Sequence, residues 1–237
     1  KSIAFIGASS KFGKWGHMLM AHTINGGFPG HIYLVNEKGD PIAGRTVYND
    51  ISEVPGKVDL AVVTIPARHV LALLPKLKAK GIRNVLLISS GFGETGAEGK
   101  KLQDELVKKA REEGLLILGP NTMGISNPYI NLYCTGSPVR NKSGGTAVVA
   151  QSGNMGVQFL GFAEEQGIGI RGFCGSGNEA MITVEDFIDG FEIDDYTKIV
   201  MLYIEGVRDG RRFFESARRL GKKKPIVLLK GGQSDAG

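Results

Sequence analysis

Short apolar runs in this chain alternate with helical patterns from the first residues onward, and that alternation restricts the fold more than any other feature. Ser2–Ile6, His31–Val35, Asp59–Ile65, Asn84–Ser89 and Leu115–Leu118 read as strands. Lys14–Asn25, Arg68–Lys80 and Ala97–Glu113 read as the helices between them, with Leu71, Leu74 and Leu77 on one face of the second. The strands are near-continuous in apolar character, as in a parallel sheet covered on both faces. Repeated βαβ units build a doubly wound α/β fold, in which ligands lie across the carboxyl ends of the strands.

The rhythm breaks from Pro128 to Gly145, a turn-rich stretch without helical period, and then resumes. Thr146–Ala150, Ile170–Cys174, Lys198–Ile204 and Pro225–Lys230 read as strands, and Asn154–Gln166, Val184–Phe191 and Arg211–Lys222 as helices. This predicts one α/β domain over residues 1–128, a linker over 129–145, and a second α/β domain over 146–237. The second domain is shorter and is expected to be cut off at its C-terminal end. The chain opens inside a strand without an initiator Met and is expected to be a piece of a longer polypeptide.

The 35 glycines among 237 residues cluster at the ends of apolar runs, which marks them as turn and ligand-approach residues. The first such turn, Gly7-Ala8-Ser9-Ser10-Lys11-Phe12-Gly13, leads from a strand into a helix. Backbone N–H groups and the positive end of a helix suit a phosphate there. A dinucleotide fingerprint wants glycine where Ser9 stands, and the spacing to Gly13 is longer than that fingerprint allows. The second strand ends Val35-Asn36-Glu37-Lys38. Glu37 is a possible ribose acid for NAD, whereas Lys38 beside it favours a phosphate near that ribose. The remaining strand ends carry Ile65 and Pro66, Ser89 and Gly91, and Asn121, all small, polar or proline-bearing stretches that let a ligand approach backbone.

A second strand–turn–helix follows at Gln151-Ser152-Gly153-Asn154. Its readings are a phosphate-binding turn or a plain N-cap by Ser152. A serine nucleophile is disfavoured, because the neighbours do not form G-x-S-x-G and His17, His22, His31 and His69 all lie in the first domain.

The net charge of +5 comes from scattered basic residues, with one cluster at Lys222–Lys224, and no basic–aromatic stripe suited to nucleic acid is present. Cys134 and Cys174 form no C-x-x-C and no disulfide framework, which fits a reducing cytoplasmic setting. No metal-ligand cluster, membrane span or signal peptide is read in the sequence.

Taken in order, G-A-S, V-N-x-K, T-I-P-A, S-S-G-F-G-E and G-P-N-T-M-G-I resemble the CoA-binding domain of the NDP-forming acyl-CoA synthetases, among them ADP-forming acetyl-CoA synthetases and succinyl-CoA synthetase alpha subunits. The resemblance runs through essentially the whole chain. It implies a Rossmann-like CoA-binding domain followed by a flavodoxin-like ligase domain. It assigns Gly7, Ser9, Ser10, Lys11, Gly13, Asn36 and Lys38 to the nucleotide and phosphates of coenzyme A. Ile65, Pro66, Ser89 and Gly91 would border adenine and pantetheine, and Asn121 would lie towards the thiol. Gln151, Ser152, Gly153 and Asn154 would cradle a phosphate, and Glu205 would orient a phosphohistidine lying beyond Gly237. The Gly175–Glu179 loop would border the same site. Phe92, Met123 and Tyr129 are candidates for the acyl pocket. ATP or ADP and Mg2+ would enter only through an ATP-grasp domain or beta subunit not in this chain, so this stretch alone is expected not to turn over. Expected partners are CoA, a small carboxylic acid or its acyl-CoA, and further subunits of an oligomer. The rival readings are a non-catalytic CoA-sensing module of a larger fusion and an NAD(P)-dependent dehydrogenase.

Overall fold

A computed structural model describes residues 2–232. The first sheet takes β1 (Ser2–Ile6), β2 (His31–Val35), β3 (Val47–Tyr48), β4 (Leu60–Val63), β5 (Asn84–Leu87) and β6 (Leu116–Leu118). Its spatial order is β3-β2-β1-β4-β5-β6, and every pairing is parallel. β1 is buried along its whole length, because helices cover both faces of the sheet. Those helices are α1 (Trp15–Asn25), α2 (Ala67–Ala79) and α3 (Ala97–Glu112). Val70, Leu74 and Leu77 of α2 pack with Ala61, Val63 and Val85 on one side. Leu19 and Met20 of α1 pack with Phe5, Val62 and Leu86 on the other. Each large side chain so buried contributes about 1.5–3 kcal/mol.

The second sheet runs β12-β11-β9-β10-β7-β8. It consists of β7 (Gly124–Asn127), β8 (Leu132–Thr135), β9 (Ser143–Ala150), β10 (Ile170–Gly175), β11 (Ile199–Ile204) and β12 (Ile226–Lys230), flanked by α4 (Gly153–Glu165), α5 (Val184–Ile193) and α6 (Gly210–Gly221). β9 to β12 pair in parallel.

The stretch read as a linker is different in the structure. Residues 124–135 form a hairpin that joins β10 antiparallel, so β7 and β8 belong to the second sheet. The sequence shows no strand period there because β8 is buried on both faces and the connection from β7 carries Pro128 and Asn131. Asn131 sits at φ 52 in the tight connection, a conformation Asn tolerates better than most residues. Leu132, Cys134 and Cys174 share one apolar cluster with Leu19 and Phe5. A strand of the second sheet therefore packs on a helix of the first, and a common core fixes the two halves together. Both cysteines are free and buried, and burial pushes the Cys134 thiol up to about 12. β3 escapes the sequence reading because two residues carry no period.

Candidate ligand cleft between the two sheets

The carboxyl ends of both sheets open onto one continuous cleft of about 1150 Å³. At its first end stands the Gly7 turn. Gly7 has φ +92, and a Cβ on Gly16 would lie 2.0 Å from the Gly7 carbonyl oxygen. Helix α1 therefore starts in direct contact with the end of β1, and only glycine allows it. Lys14 occupies the N-cap with no side-chain cap. Lys14 O accepts from His17 N and Met18 N at 2.9 Å, so the N–H groups of Trp15 and Gly16 are those at the helix start that this residue leaves unpaired. The Thr64 hydroxyl donates to Gly7 O at 3.1 Å.

Asn36 is a fixing residue. Its Nδ2 donates to Ala8 O at 2.7 Å and its Oδ1 accepts from Lys38 N at 2.9 Å, tying the strand end to the turn. Lys38 faces the cleft, as do Gly7 and Ser9. Ser9 Oγ accepts from Lys11 N at 3.1 Å. Ser10, Lys11 and Gly13 lie on the exposed outer flank of the turn and do not line the cleft. Gly91 does not line it either; its N–H donates to the Glu94 carboxylate. Ile65, Pro66 and Ser89 do line it, and the Ser89 hydroxyl donates to Ile65 O at 2.5 Å.

At the other end, Gln151, Ser152, Gly153, Asn154 and Glu205 face the same cleft. Ser152 caps α4, accepting from Met155 N at 3.5 Å, so the N-cap reading is realised at this turn. Gln151 turns inward. Its Oε1 accepts from Glu205 N at 2.6 Å and Gly206 N at 3.1 Å, and its Nε2 donates to Gly206 O at 2.8 Å. Its amide is spent on holding the Glu205 loop. The Glu205 side chain is exposed at the cleft wall and has no partner among the described residues.

Between the two ends, the loop before α5 docks on the first domain. Asn178 Nδ2 donates to Gln103 Oε1 at 3.0 Å and also to the Glu94 carboxylate. Asn121 Nδ2 donates to Asn178 Oδ1 at 3.3 Å. Gly177 has φ +61, and a Cβ there would meet Pro120 O at 2.4 Å. Burial alone would raise Glu94, but the Asn178 amide and the N–H groups of Gly91 and Phe92 lower it, so it stays ionised. Within this loop, which the sequence reading placed at the site, Ser176 and Glu179 are buried, and Glu185 is buried beyond it. Among the described residues Ser176 Oγ, Glu179 Oε1 and Glu185 Oε1 have no hydrogen-bond partner. Burial first, and then the like charge of Glu185, push the Glu179 carboxyl up, against the lowering effect of Gln151 and the Val184 N–H.

The structure also adds Lys14, Trp15, His69, Leu73 and Lys76 to the cleft. Positions 69, 73 and 76 recur at helical spacing along α2, a signal present in the sequence but masked by the stronger Leu71, Leu74, Leu77 stripe. Of the acyl-pocket candidates only Met123 reaches the cleft. Phe92 is fully buried in the first core. Tyr129 stands elsewhere, with Arg171 5.4 Å from its ring centroid. Among the described residues no group of three His, Cys, Asp or Glu side chains is placed to hold a metal.

The fold and the site thus define a two-domain α/β protein whose strand ends share one cleft with a glycine turn at each end. Two family models match: a CoA binding domain over residues 1–128, and a succinyl-CoA ligase like flavodoxin domain over 143–237. The chain belongs to that CoA-binding-domain family, with a Rossmann-like first domain and a flavodoxin-like second. It is 42% identical over its whole length to the alpha subunit of ADP-forming acetate–CoA ligase I of Pyrococcus furiosus, covering 52% of that protein. It is 36% identical to an ADP-forming acetate–CoA ligase of Archaeoglobus fulgidus, covering all of this chain and 34% of the relative. An acetyl-coenzyme A synthetase of Ca. Korarchaeum cryptofilum, solved with phosphate and ADP, superposes with a TM-score of 0.93 at 34% identity, over 100% of this chain and 51% of that one. The chain thus spans about half the length, or less, of these relatives.

Proposed function

We propose that this chain is the CoA-binding and phosphate-cradling part of an ADP-forming acyl-CoA synthetase. The parent enzyme interconverts acyl-CoA, ADP and phosphate with carboxylic acid, ATP and CoA. The observation that carries this reading is the continuity of the cleft from Lys38 past Asn121 to Ser152 and Glu205. A ligand with phosphates at one end and a thioester at the other fits that layout. Lys38 and the N-terminus of α1 face its phosphates, Ile65 and Pro66 its adenine, and Asn121 its thiol end.

At the α4 turn, the N–H groups of the helix start hold a phosphate. A phosphate oxygen attacks the thioester carbonyl, the C–S bond breaks, and CoA leaves as the thiolate. An imidazole nitrogen then attacks phosphorus and the carboxylate departs. That histidine is assigned to a segment after Gly237, and the Gln233–Gly237 stretch leading to it lies outside the described residues. Glu205 accepts the other imidazole N–H, which fixes the tautomer and stabilises the developing positive charge. The phosphoryl group then passes to ADP with Mg2+ in an ATP-grasp domain or beta subunit, the partner this chain works with. Oligomeric assembly and a cytoplasmic setting belong to the same reading; no helix among the described residues is long and apolar enough to cross a membrane.

Neither rival draws support from the matched families, which are CoA-binding and ligase domains. Calorimetric titration with CoA, dephospho-CoA and NAD tests the assignment. CoA binds and NAD does not; the reverse result defeats the reading. Lys38→Ala weakens CoA about tenfold or more while leaving dephospho-CoA within about twofold, the expected loss of one charge-assisted contact. Equal losses for both ligands remove Lys38 from the ribose phosphate.

A further inference from the structure

Sheet order places one residue between two loops of the second domain. β9 lies between β10 and β11, and Ala150 at its end is in register with Gly175 on one side and Tyr203 on the other. The next residue, Gln151, therefore has the loop of Ser176 to Glu179 on one flank and the Glu205 loop on the other. Towards Glu205 its Oε1 takes two backbone N–H groups, and one proton of Nε2 goes to Gly206 O. A side-chain amide has a second such proton. Turned over, the same amide would set its NH2 against the N–H groups of Glu205 and Gly206, donor against donor. The loop is held only while something selects the right orientation.

The opposite flank supplies the selection. Ser176 N donates to Ala150 O, Asn178 N to Pro120 O and Ala180 N to Gly119 O, each at 2.9 Å, so backbone pins the loop on both sides of Glu179. Glu179 itself has φ 53, a conformation that a glutamate keeps only where its surroundings impose it. Its side chain is turned inward and buried. There the carboxyl meets the Gln151 side-chain amide and the Val184 N–H as donors. Oε1 has no partner among the described residues, so the other oxygen is the acceptor. We infer that Glu179 is a positioning residue: it takes the second Nε2 proton of Gln151, fixes that amide, and through it sets the Glu205 carboxylate at the cleft wall. The task needs an acceptor and no charge. A carboxyl protonated on one oxygen keeps the other for the amide. The catalytic part of Glu205 rests on the ligase reading above; the relay from Glu179 to the Glu205 loop does not.

Hydrogen exchange of the Glu205 and Gly206 amides in the full chain reads the relay without turnover. Glu179→Leu stays close in volume and removes the acceptor, and both amides then exchange about tenfold faster. The buried Val148 and Val149 of β9 keep their native rates and report folding. Glu179→Gln keeps an acceptor and stays within about twofold of the native rates. In a Gln151→Ala background Glu179→Leu adds nothing, because the relay is already cut. Unchanged exchange in Glu179→Leu, or an equal increase with and without Gln151, overturns the inference. Should Glu179→Leu not fold, an exchanged pair decides. Gln151→Glu alone sets two carboxyls face to face and frees the loop, and adding Glu179→Gln restores an amide–carboxyl pair and most of the protection; no recovery overturns the inference. In the assembled parent enzyme Glu179→Leu lowers kcat about tenfold at unchanged KM for CoA, and Glu179→Gln restores it. Faster exchange without a fall in kcat removes Glu205 from the reaction, and with it that part of the ligase reading, while the relay stands.

Discussion

The two glycine turns of the cleft do similar work by opposite means. At the first, backbone meets backbone. The Gly7 carbonyl sits 2.0 Å from where a Cβ of Gly16 would be, α1 has no side-chain cap, and its start is closed by backbone, with Lys14 O accepting from His17 N and Met18 N at 2.9 Å. At the second, side chains do the fitting. Ser152 caps α4, Gln151 ties down the Glu205 loop, and Gly153 faces the flexible thioether of Met123. A backbone-tight turn tolerates no substitution but needs no side chain to close it. A turn closed by side chains can adjust, at the cost of occupying part of its own hydrogen-bonding capacity.

The sharpest way to break this contrast is to add one methyl group to each turn. Gly16→Ala forces backbone to move, and a loss of about 3 kcal/mol is expected, with CoA affinity falling beyond about tenfold. Gly153→Ala meets a side chain rather than backbone, with Met123 Cε 2.9 Å and Cβ 3.3 Å away, and costs about 1 kcal/mol. Denaturant unfolding of both variants checks the difference, and similar losses would erase the distinction drawn here.

The next effect concerns the floor of the second turn. Glu179 is 3% exposed, and its carboxyl is raised from the ordinary value of 4.5 by burial. The unfolded chain releases this proton from about pH 4.5 upward, while the folded chain holds it to higher pH. Stability therefore falls as pH rises through that window. Glu179→Gln removes the fall. The variant is more stable than the native chain near neutral pH, and the gain shrinks towards zero below about pH 4. Melting temperatures across that range decide it; a pH-independent difference between the two proteins would show that Glu179 is not the titrating group.

The smallest effects are at the caps. Ser152→Ala loses about 0.5–1 kcal/mol by removing the capping oxygen. Lys14→Ser, at the uncapped turn, gains about 0.5 kcal/mol by supplying one, and it weakens CoA because the new hydroxyl competes for the same N–H groups. A loss of stability in the Lys14 variant would mean that the bond from His17 N to Lys14 O already closes this turn.

Much of the architecture was legible in the sequence because it depends on local pattern. Each strand of the first sheet announces itself as an apolar run, and the turn residues at Gly7 and Ser152 mark where helices begin. Lys38, Asn121 and Glu205 were found as strand-end residues, which any parallel sheet brings to one edge. Asn36 and Gln151 were found too, but not their tasks; whether an amide points at a ligand or at a neighbouring carbonyl depends on groups distant in sequence. Trp15 and Lys76 went unnoticed for the same reason. The first looks like an ordinary helix start, and the second like one wet lysine among several.

The chain by itself determined its alternation of strands and helices, the parallel character of its first sheet and the position of both glycine turns, because hydrophobic period and glycine placement act over a few residues. Tertiary structure alone decided that residues 124–135 cross into the second sheet, that α1 and β8 share one core, and that Trp15 meets Met123 over Gly136. Those outcomes depend on shape complementarity between segments more than a hundred residues apart, as α1 and β8 are, and no local propensity encodes it.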